Sequence, residues 1–258
     1  MQHNEPMCGR FAQPRSPDEL ALLFGARPVT DLAGERFNVA PTDPVAAVVE
    51  HHGERQLDAF RWGLVPVYAP DSRDGVRMIN ARAETIESSP VYRTAFRRWR
   101  CIIPADAFYE WRRRPGADAA HSRRRAASDP FAIQRRDGAP LALAGLWAVW
   151  RNPETAERLF SCTIVTTAAN DLLAPLHARM PVVLDPGDWS AWLAETTDLA
   201  DLRQLLAPAP NDLLEAYPVS NAVNDVRRNG PELLEPVGPA GTTALAEPMA
   251  PSSPTLGL

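Results

Sequence analysis

The chain has 258 residues, of which 45% are hydrophobic, and a formal net charge of −5. This length can bury a sizeable core, as one large domain or two small ones. The sequence has neither a run of about 18 apolar residues nor a charged start followed by an apolar stretch, which excludes a transmembrane helix and a secretory signal and favours a cytoplasmic protein. Cys8, Cys101 and Cys162 are widely separated, which argues against a disulfide framework and a structural zinc site.

Charge is distributed unevenly along the chain. Residues 1–60 carry a net charge of −4, residues 61–136 of +8, and residues 137–258 of −9. The basic middle is typical of a surface that follows nucleic-acid phosphates, but a solvated, arginine-rich surface has the same composition, and charge alone leaves both open. All 27 basic residues are Arg and none is Lys, so the only amine nucleophile in the printed sequence is the α-amine.

The first predicted element is a helix over residues 16–24. Ser16 can cap it, Pro17 suits its first turn, and Leu20, Leu23 and Phe24 share one face. Short apolar runs separated by Pro, Gly or Asp then predict strands. These strands are predicted over residues 45–50, 57–62, 101–103, 131–134, 141–150 and 162–166.

A second helix is predicted over residues 186–194, with Trp189, Trp192 and Leu193 facing inward. The mixture of short strands and few helices predicts an α+β fold built around an antiparallel or mixed sheet. Residues 112–130 contain six Arg and almost no apolar anchor, which predicts a mobile arginine-rich loop. Residues 237–258 are rich in Pro, Gly, Ala, Ser and Thr, which predicts a disordered tail.

The segment Met7-Cys8-Gly9-Arg10-Phe11 has a chemical interpretation. Methionine aminopeptidase removes a methionine that precedes a small residue, and Cys8 then becomes the first residue. A terminal cysteine carries an amine and a thiol on adjacent carbons, so an aldehyde can form an imine with the amine and close a thiazolidine with the thiol. The six residues before Met7 block this chemistry unless translation begins at Met7 or proteolysis removes them. The alternative is that Cys8 is an ordinary, partly buried thiol.

Further segments, together with the one around Cys8, make a distinctive series. They lie at residues 36–42, 62–66, 80–85, 100–111, 176–181 and 219–224. The series closely resembles the SOS response-associated peptidase (SRAP) family over residues 7–236. The resemblance implies one SRAP-type domain over residues 8–236, built on a mixed or antiparallel, barrel-like sheet with flanking helices. Residues 1–7 are then an extension that is absent or removed.

The resemblance also implies a function and a set of reactive residues. In the family, the cysteine exposed by methionine removal crosslinks to abasic sites in single-stranded DNA and shields them, a role that falls here on Cys8. The positions that match the family's other reactive residues are Asn80, Glu110 and His177. Glu110 can act as general acid and base, His177 can move protons near neutral pH, and Asn80 can hold the sugar or the terminal residue. Ordinary structural roles remain the alternative for each.

The family resemblance extends to DNA contacts. Arg10, Arg82 and Arg179 resemble the family's phosphate-contacting arginines, with surface salt bridges as the alternative. Trp62 and Pro41 are expected to form an apolar platform or wedge against the flanking bases, although a tryptophan at a strand end is equally at home in a core.

Two other functions stay open on the sequence alone. One is an autoprocessing cysteine peptidase, with Cys8 as nucleophile, His177 as base and Glu110 as orienting group. The other is a noncovalent reader of modified or single-stranded DNA. The expected partner in the leading interpretation is abasic single-stranded DNA during the DNA damage response, with nucleoid association when bound, weak lyase behaviour, and no metal or organic cofactor. One crosslink per lesion needs only a monomer.

Overall fold

The computed structural model describes residues 9–32, 34–113 and 128–238, and strands dominate these ranges. The strands are β1 (Phe11–Gln13), β2 (Arg27–Pro28), β3 (Arg36–Val39), β4 (Pro44–His51), β5 (Glu54–Trp62), β6 (Asn80–Arg82), β7 (Arg100–Ala105), β8 (Ala107–Arg113), β9 (Ser128–Arg135), β10 (Leu141–Arg151), β11 (Arg158–Ala168), β12 (Arg179–Pro181) and β13 (Leu214–Pro218). The α-helices are α1 (Pro17–Phe24), α2 (Arg93–Arg98), α3 (Trp189–Leu193) and α4 (Leu199–Gln204). No helix in these ranges is long and apolar enough to cross a membrane.

Five strands close into a barrel in the order β11, β10, β7, β4, β5 and back to β11. Four of the pairings are antiparallel, whereas β5 meets β11 in parallel, with Arg61 opposite Ser161 and Trp62 opposite Cys162. Closure removes the free edges that a sheet of this kind would otherwise expose. The short strands β2, β6 and β12 extend the rim of the barrel.

A second sheet lies against one end of the barrel. It is antiparallel throughout, in the order β13, β9, β8, β1, β3. Phe11, Phe108 and Phe131 of this sheet belong to the same buried cluster as Trp62 and Cys101 of the barrel. Because one continuous core joins the two sheets, the strand ends at their junction are held in fixed relation to one another.

Helices cover the outer face of the barrel. Helix α1 begins with a capping box, in which Ser16 Oγ accepts from Glu19 N and the Glu19 carboxylate accepts from Ser16 N. Its residues Leu20 and Phe24 are buried, whereas Leu23, which was predicted to share their face, is 44% exposed. The helix is only eight residues long and buries a narrow stripe, which leaves Leu23 at its edge.

The second predicted helix is a short 3₁₀ segment, Pro186–Asp188, followed by α3. Trp192 and Leu193 are buried, and Trp189 is half-buried, with its ring stacked on Phe24 at 4.5 Å between centroids. The predicted strands all appear, most of them longer than predicted. The α+β prediction with a barrel-like sheet is therefore confirmed.

The ends of the predicted arginine-rich loop are strands. Arg112 pairs with Asp129 and Arg113 with Ser128, so β8 and β9 continue two residues or more into the segment assigned to the loop. A ladder of this kind is set by the partner strand, which local composition does not reveal. Residues 114–127, which include the rest of that loop, lie outside the described residues, as do residues 1–8.

The first residues of the predicted tail are ordered in the structure. Val237 donates its amide to Pro218 O at 2.9 Å, and Pro236 forms a bridge with Val219, so the chain is still docked on β13 at the predicted boundary. Residues 239–258 lie outside the described residues.

Candidate functional site

One side of the candidate site is built on β11. Strand β6 runs parallel to it, with Asn80 opposite Ile164 and Arg82 opposite Thr166. Side chains alternate along a strand, so Asn80 and Arg82 lie on the same face, while the intervening Ala81 is buried in the outer core. Asn80 is half-buried and Arg82 is exposed. The rim of the barrel therefore presents an amide followed by a cation.

The backbone of Asn80 is held from several directions. Its carbonyl accepts from Tyr92 Oη at 3.3 Å, and burial raises the pKa of Tyr92 to about 12. The preceding residue, Ile79, uses its carbonyl to accept from Trp62 Nε1 and from Ile164 N, both at 3.0 Å. These bonds fix the position from which the Asn80 side chain projects.

His177 and Arg179 lie beside the same end of β11 as Arg82. Arg179 pairs with Ala168, and the loop before it is anchored by the buried side chains of Leu173 and Leu176. The amide of Arg179 donates to His177 Nδ1 at 3.1 Å. Since Nδ1 accepts this bond, a neutral His177 ring carries its proton on Nε2.

Arg179 forms an ion pair at this rim. Its guanidinium donates to both Glu84 carboxylate oxygens, at 2.8 and 2.9 Å, and to Thr166 O at 2.6 Å. The Arg179 hydrogen bonds are the main cause that lowers the pKa of Glu84, with Arg82 adding a smaller attraction. The structure thus brings Asn80, Arg82 and Arg179 to one rim.

The second sheet supplies Glu110. It lies on β8 opposite Phe131 and is 6% exposed. Phe108, Glu110 and Arg112 share one face of the strand by alternation, and Phe108 belongs to the core that joins the two sheets. The Arg112 guanidinium lies 4.8 Å from the centre of the Phe131 ring, a cation–π contact. A buried carboxylate next to a guanidinium therefore faces the junction.

Strand β1 brings the N-terminal segment to Glu110. Phe11 pairs with Phe108, and the amide of Tyr109 donates to Arg10 O at 3.0 Å. Continuing this antiparallel register places Gly9 alongside Glu110. Cys8, the predicted nucleophile, lies outside the described residues, and Gly9 immediately follows it.

The structure corrects the sequence prediction for Arg10. It is 1% exposed and donates to Asn38 Oδ1 at 2.6 Å and to Val223 O at 3.0 Å. A guanidinium enclosed in this way joins protein segments and has no surface to offer a phosphate, so the predicted phosphate contact is wrong in this conformation. The family resemblance could not reveal this, because burial depends on the C-terminal segment that folds over Arg10.

The structure also corrects the sequence prediction for Trp62. It is fully buried, its indole N–H donates to Ile79 O, and its ring meets Phe11 edge-on at 5.0 Å between centroids. It is a core residue and cannot stack on a DNA base. Pro41 is half-buried, in a turn whose next residue, Thr42, has a φ of 79°. That backbone region is costly for a β-branched residue, and such strain often marks functional turns.

Sequence reasoning missed three residues around the site. Asn38 is buried, and besides accepting from Arg10 it donates to the carbonyls of Val223, Asp225 and Arg228 at 3.1–3.2 Å. It therefore ties the C-terminal segment to the N-terminal strand. Tyr68 is 65% exposed and lies in the connection between β5 and β6 that leads to Asn80. Arg112 was assigned to a loop.

These residues had only weak signals in the sequence. Asn38 and Arg112 lie in or next to motifs quoted for the family resemblance, but only their contacts reveal their partners. Tyr68 follows a strand and has no local pattern to distinguish an exposed ring from a buried one.

Comparisons with known proteins agree on one family. A family model described as SOS response associated peptidase (SRAP) matches residues 7–226. The abasic site processing protein YoqW of Bacillus subtilis is 38% identical over 233 residues, which cover 89% of this chain and 99% of that protein. The abasic site processing protein YedK of Escherichia coli is 31% identical over 239 residues, which cover 90% of this chain and 100% of that protein.

A solved structure supports the same fold. The X-ray crystal structure of a protein from Bacteroides thetaiotaomicron matches with a TM-score of 0.76 at 24% identity, covering 89% of this chain and 100% of that one. At this level of identity the likeness shows the fold alone.

Proposed function

Because the chain belongs to the SOS response associated peptidase (SRAP) family, we propose that it processes abasic sites in DNA by forming a covalent crosslink through an N-terminal Cys8. The observation that carries this proposal is the position of β1. From Gly9 onward the chain runs alongside β8 and Glu110, and Phe11 on β1 contacts Trp62, whose indole donates to the carbonyl of Ile79, the residue before Asn80. A nucleophile that starts the chain there has acid–base and anchoring groups around it.

The proposed chemistry uses both functional groups of a terminal cysteine. The neutral α-amine, whose reference pKa is about 7.7–8.0, adds to the aldehyde carbon of the ring-opened sugar. Water leaves to give an imine, and the thiol sulfur then adds to the imine carbon while its proton passes to nitrogen. The product is a thiazolidine, with one water lost overall. Because the sequence contains no Lys, no side-chain amine competes for the aldehyde.

Glu110 is proposed as the general acid and base of these steps. Its buried position excludes most solvent, and proton transfer by a positioned side chain accelerates such steps by about 10²–10⁴-fold. Asn80 is proposed to hold the sugar or the terminal residue by hydrogen bonds, without titrating. His177 is proposed to donate from Nε2, the atom that its bond from Arg179 leaves protonated.

The proposed DNA path follows two cations of the rim, exposed Arg82 and partly buried Arg179. Arg82 and Arg179 are proposed to contact the phosphates that flank the lesion, with Glu84 holding Arg179 in place until DNA arrives. Tyr68 offers an exposed ring in place of buried Trp62, and half-buried Pro41 lies in a strained turn. An exposed ring that stacks on unpaired bases favours single-stranded DNA.

A second candidate, autoprocessing, is favoured by one observation: residues 1–7 precede Cys8 in the sequence. The same Cys8, with Glu110 and His177, would then attack its own leading peptide bond. Intact mass of untagged protein distinguishes the routes. Loss of residues 1–7 in the wild type but not in Cys8→Ala supports autoprocessing, whereas loss in both supports an independent start or an external protease.

The proposal is tested by incubating the untagged protein with a single-stranded abasic oligonucleotide. A chain that begins at Cys8 should gain the mass of the oligonucleotide less one water, in an adduct that survives denaturant. Cys8→Ala should form no such stable adduct. A chain starting at Cys8 that binds the DNA but forms no adduct would leave a noncovalent reader as the better account.

A further inference from the structure

The cationic side chains around the candidate site share one chemical property. Arg82 is exposed on the same face as Asn80, and Arg179 is paired with Glu84 on the same rim. Arg112 lies over the ring of Phe131, the residue that pairs with Glu110. All are guanidinium groups, and the 258 residues contain no Lys. The site therefore carries positive charge for phosphates without any primary amine on a side chain.

This difference matters for an aldehyde substrate. A guanidinium stays protonated and is not a nucleophile at neutral pH, whereas a lysine amine forms imines with carbonyl compounds. On the basis of the proposed function, we infer that the arginines of this rim, Arg82 foremost, determine chemical specificity: they bind the strand while leaving the aldehyde to react only with the N-terminal amine.

The geometry shows what a lysine would do at position 82. Successive residues of a strand rise about 3.3 Å, so the backbone of residue 82 lies about 6.6 Å from that of Asn80 and on the same face. A lysine side chain spans a similar distance. An amine at position 82 thus reaches an aldehyde held beside Asn80.

A lysine at position 82 would compete with the N-terminal amine for the aldehyde, in a reaction that needs no oxidant. The neutral lysine nitrogen adds to the aldehyde carbon, the oxygen takes up a proton, and water leaves to form an iminium. A proton is then lost from the neighbouring carbon, its electron pair forms a carbon–carbon double bond, and the bond to the 3′ phosphate oxygen breaks. The strand is cut with the leaving phosphate carrying the electron pair. Arginine at position 82 does not form the iminium and therefore does not start this strand cleavage.

The test is Arg82→Lys, with Arg158→Lys as matched control. Arg158 is an exposed arginine at the opposite end of β11, ten residues before Ala168, which pairs with Arg179. That separation is about 33 Å along the strand. Both variants keep the charge of the wild type, so phosphate attraction should be retained in each.

Arg82→Lys should cut an abasic single strand about tenfold faster than the wild type, and borohydride should trap an adduct on Lys at position 82. The endoproteinase that cleaves after Lys has one target in this variant, and the trapped secondary amine blocks that cut, so loss of the cut in mass spectrometry assigns the adduct to position 82. The cleavage rate should rise about tenfold per pH unit between pH 7 and 9, because the reference pKa of lysine is about 10.4 and the neutral amine is the nucleophile. Arg158→Lys should match the wild type.

A second lysine variant covers the case in which Arg82→Lys no longer binds DNA. Arg77→Lys places the amine at the exposed end of the 3₁₀ helix Ser72–Arg77, three residues before Asn80. If the wild type crosslinks while both lysine variants bind DNA, yield no trapped lysine and cut no faster than Arg158→Lys, the inference is overturned. If the wild type itself forms no adduct, the proposed function fails, and that result is distinct.

Discussion

Glu110 is positioned by the alternation of its own strand. Its neighbours Tyr109 and Trp111 point to the opposite face, where the Tyr109 phenol donates to Phe37 O and the Trp111 indole donates to Asn224 Oδ1, each at 2.8 Å. Because successive side chains of a strand point to opposite faces, anchoring these two on one face directs the Glu110 side chain to the other face, toward the junction of the two sheets. Its side chain is consequently 6% exposed.

Glu110→Gln tests the proposed proton transfer at this residue. The change keeps size and hydrogen-bonding capacity but removes the titrating proton, so crosslinking should slow by about 10²-fold while DNA binding is retained. Single-turnover crosslinking under denaturing electrophoresis measures the rate. Glu157→Gln, on the exposed turn between β10 and β11, is the control. A Glu110→Gln rate equal to that of the control would remove Glu110 from the mechanism.

At the scale of elements, the connection from β5 to β6 positions Asn80. Gly63 and Gly75 pack backbone against backbone: a Cβ on Gly75 would lie 2.4 Å from Gly63 O and 2.9 Å from Val65 Cγ2. Leu64 N also donates to Met78 O at 3.1 Å. The connection is thus drawn tightly onto the end of β5, and β6 begins immediately after it.

Gly75→Ala should force this connection to move. Neither obstructing atom belongs to a long, flexible side chain, so we expect a loss of about 2 kcal/mol in the free energy of unfolding. Urea denaturation measures it. Gly187→Ala is the matched control, since nothing lies within 4 Å of its Cβ position. Equal stability of the two variants would show that the contact between the glycines is easily relaxed.

At the scale of the whole molecule, three phenols, one buried and two half-buried, join segments that are distant in sequence. Tyr92 donates to Asn80 O, Tyr109 to Phe37 O, and Tyr217 to Leu234 O. Burial is the first cause that raises the pKa of each, to about 12 for Tyr92 and Tyr217. The folded state therefore favours the neutral phenols.

This predicts a loss of stability in alkali. The unfolded phenols ionise near their reference pKa of about 10, below the folded values, so their contribution is complete below pH 10 and declines as pH rises above it. Urea unfolding at pH 8–12 measures the decline in the free energy of unfolding. Tyrosinate absorbance over the same range shows where the phenols ionise. Tyr109→Phe should cost about 1 kcal/mol at pH 8 and flatten the decline. Tyr68→Phe, which alters an exposed ring, should leave the decline with pH as steep as in the wild type. If the two variants lost stability equally with pH, the role assigned to Tyr109 would be contradicted.

Local patterns in the sequence were sufficient for several features. The capping box of α1, the apolar cores of β4, β5, β10 and β11, and the motifs that indicated the family all depend on neighbouring residues. Such signals act over a few residues, so they could be read without knowing the fold. The chemistry expected of Cys8 also follows from its place after Met7, and it remains a prediction.

Tertiary structure alone decided the rest. Closure of the barrel depends on the parallel pairing of β5 with β11, between residues about a hundred positions apart. The burial of Trp62 and Arg10, and the bonds by which Asn38 ties the segment after Val223 to the N-terminal strand, likewise depend on distant partners. Composition cannot predict such contacts, because whether a side chain is buried or exposed is determined by what folds over it.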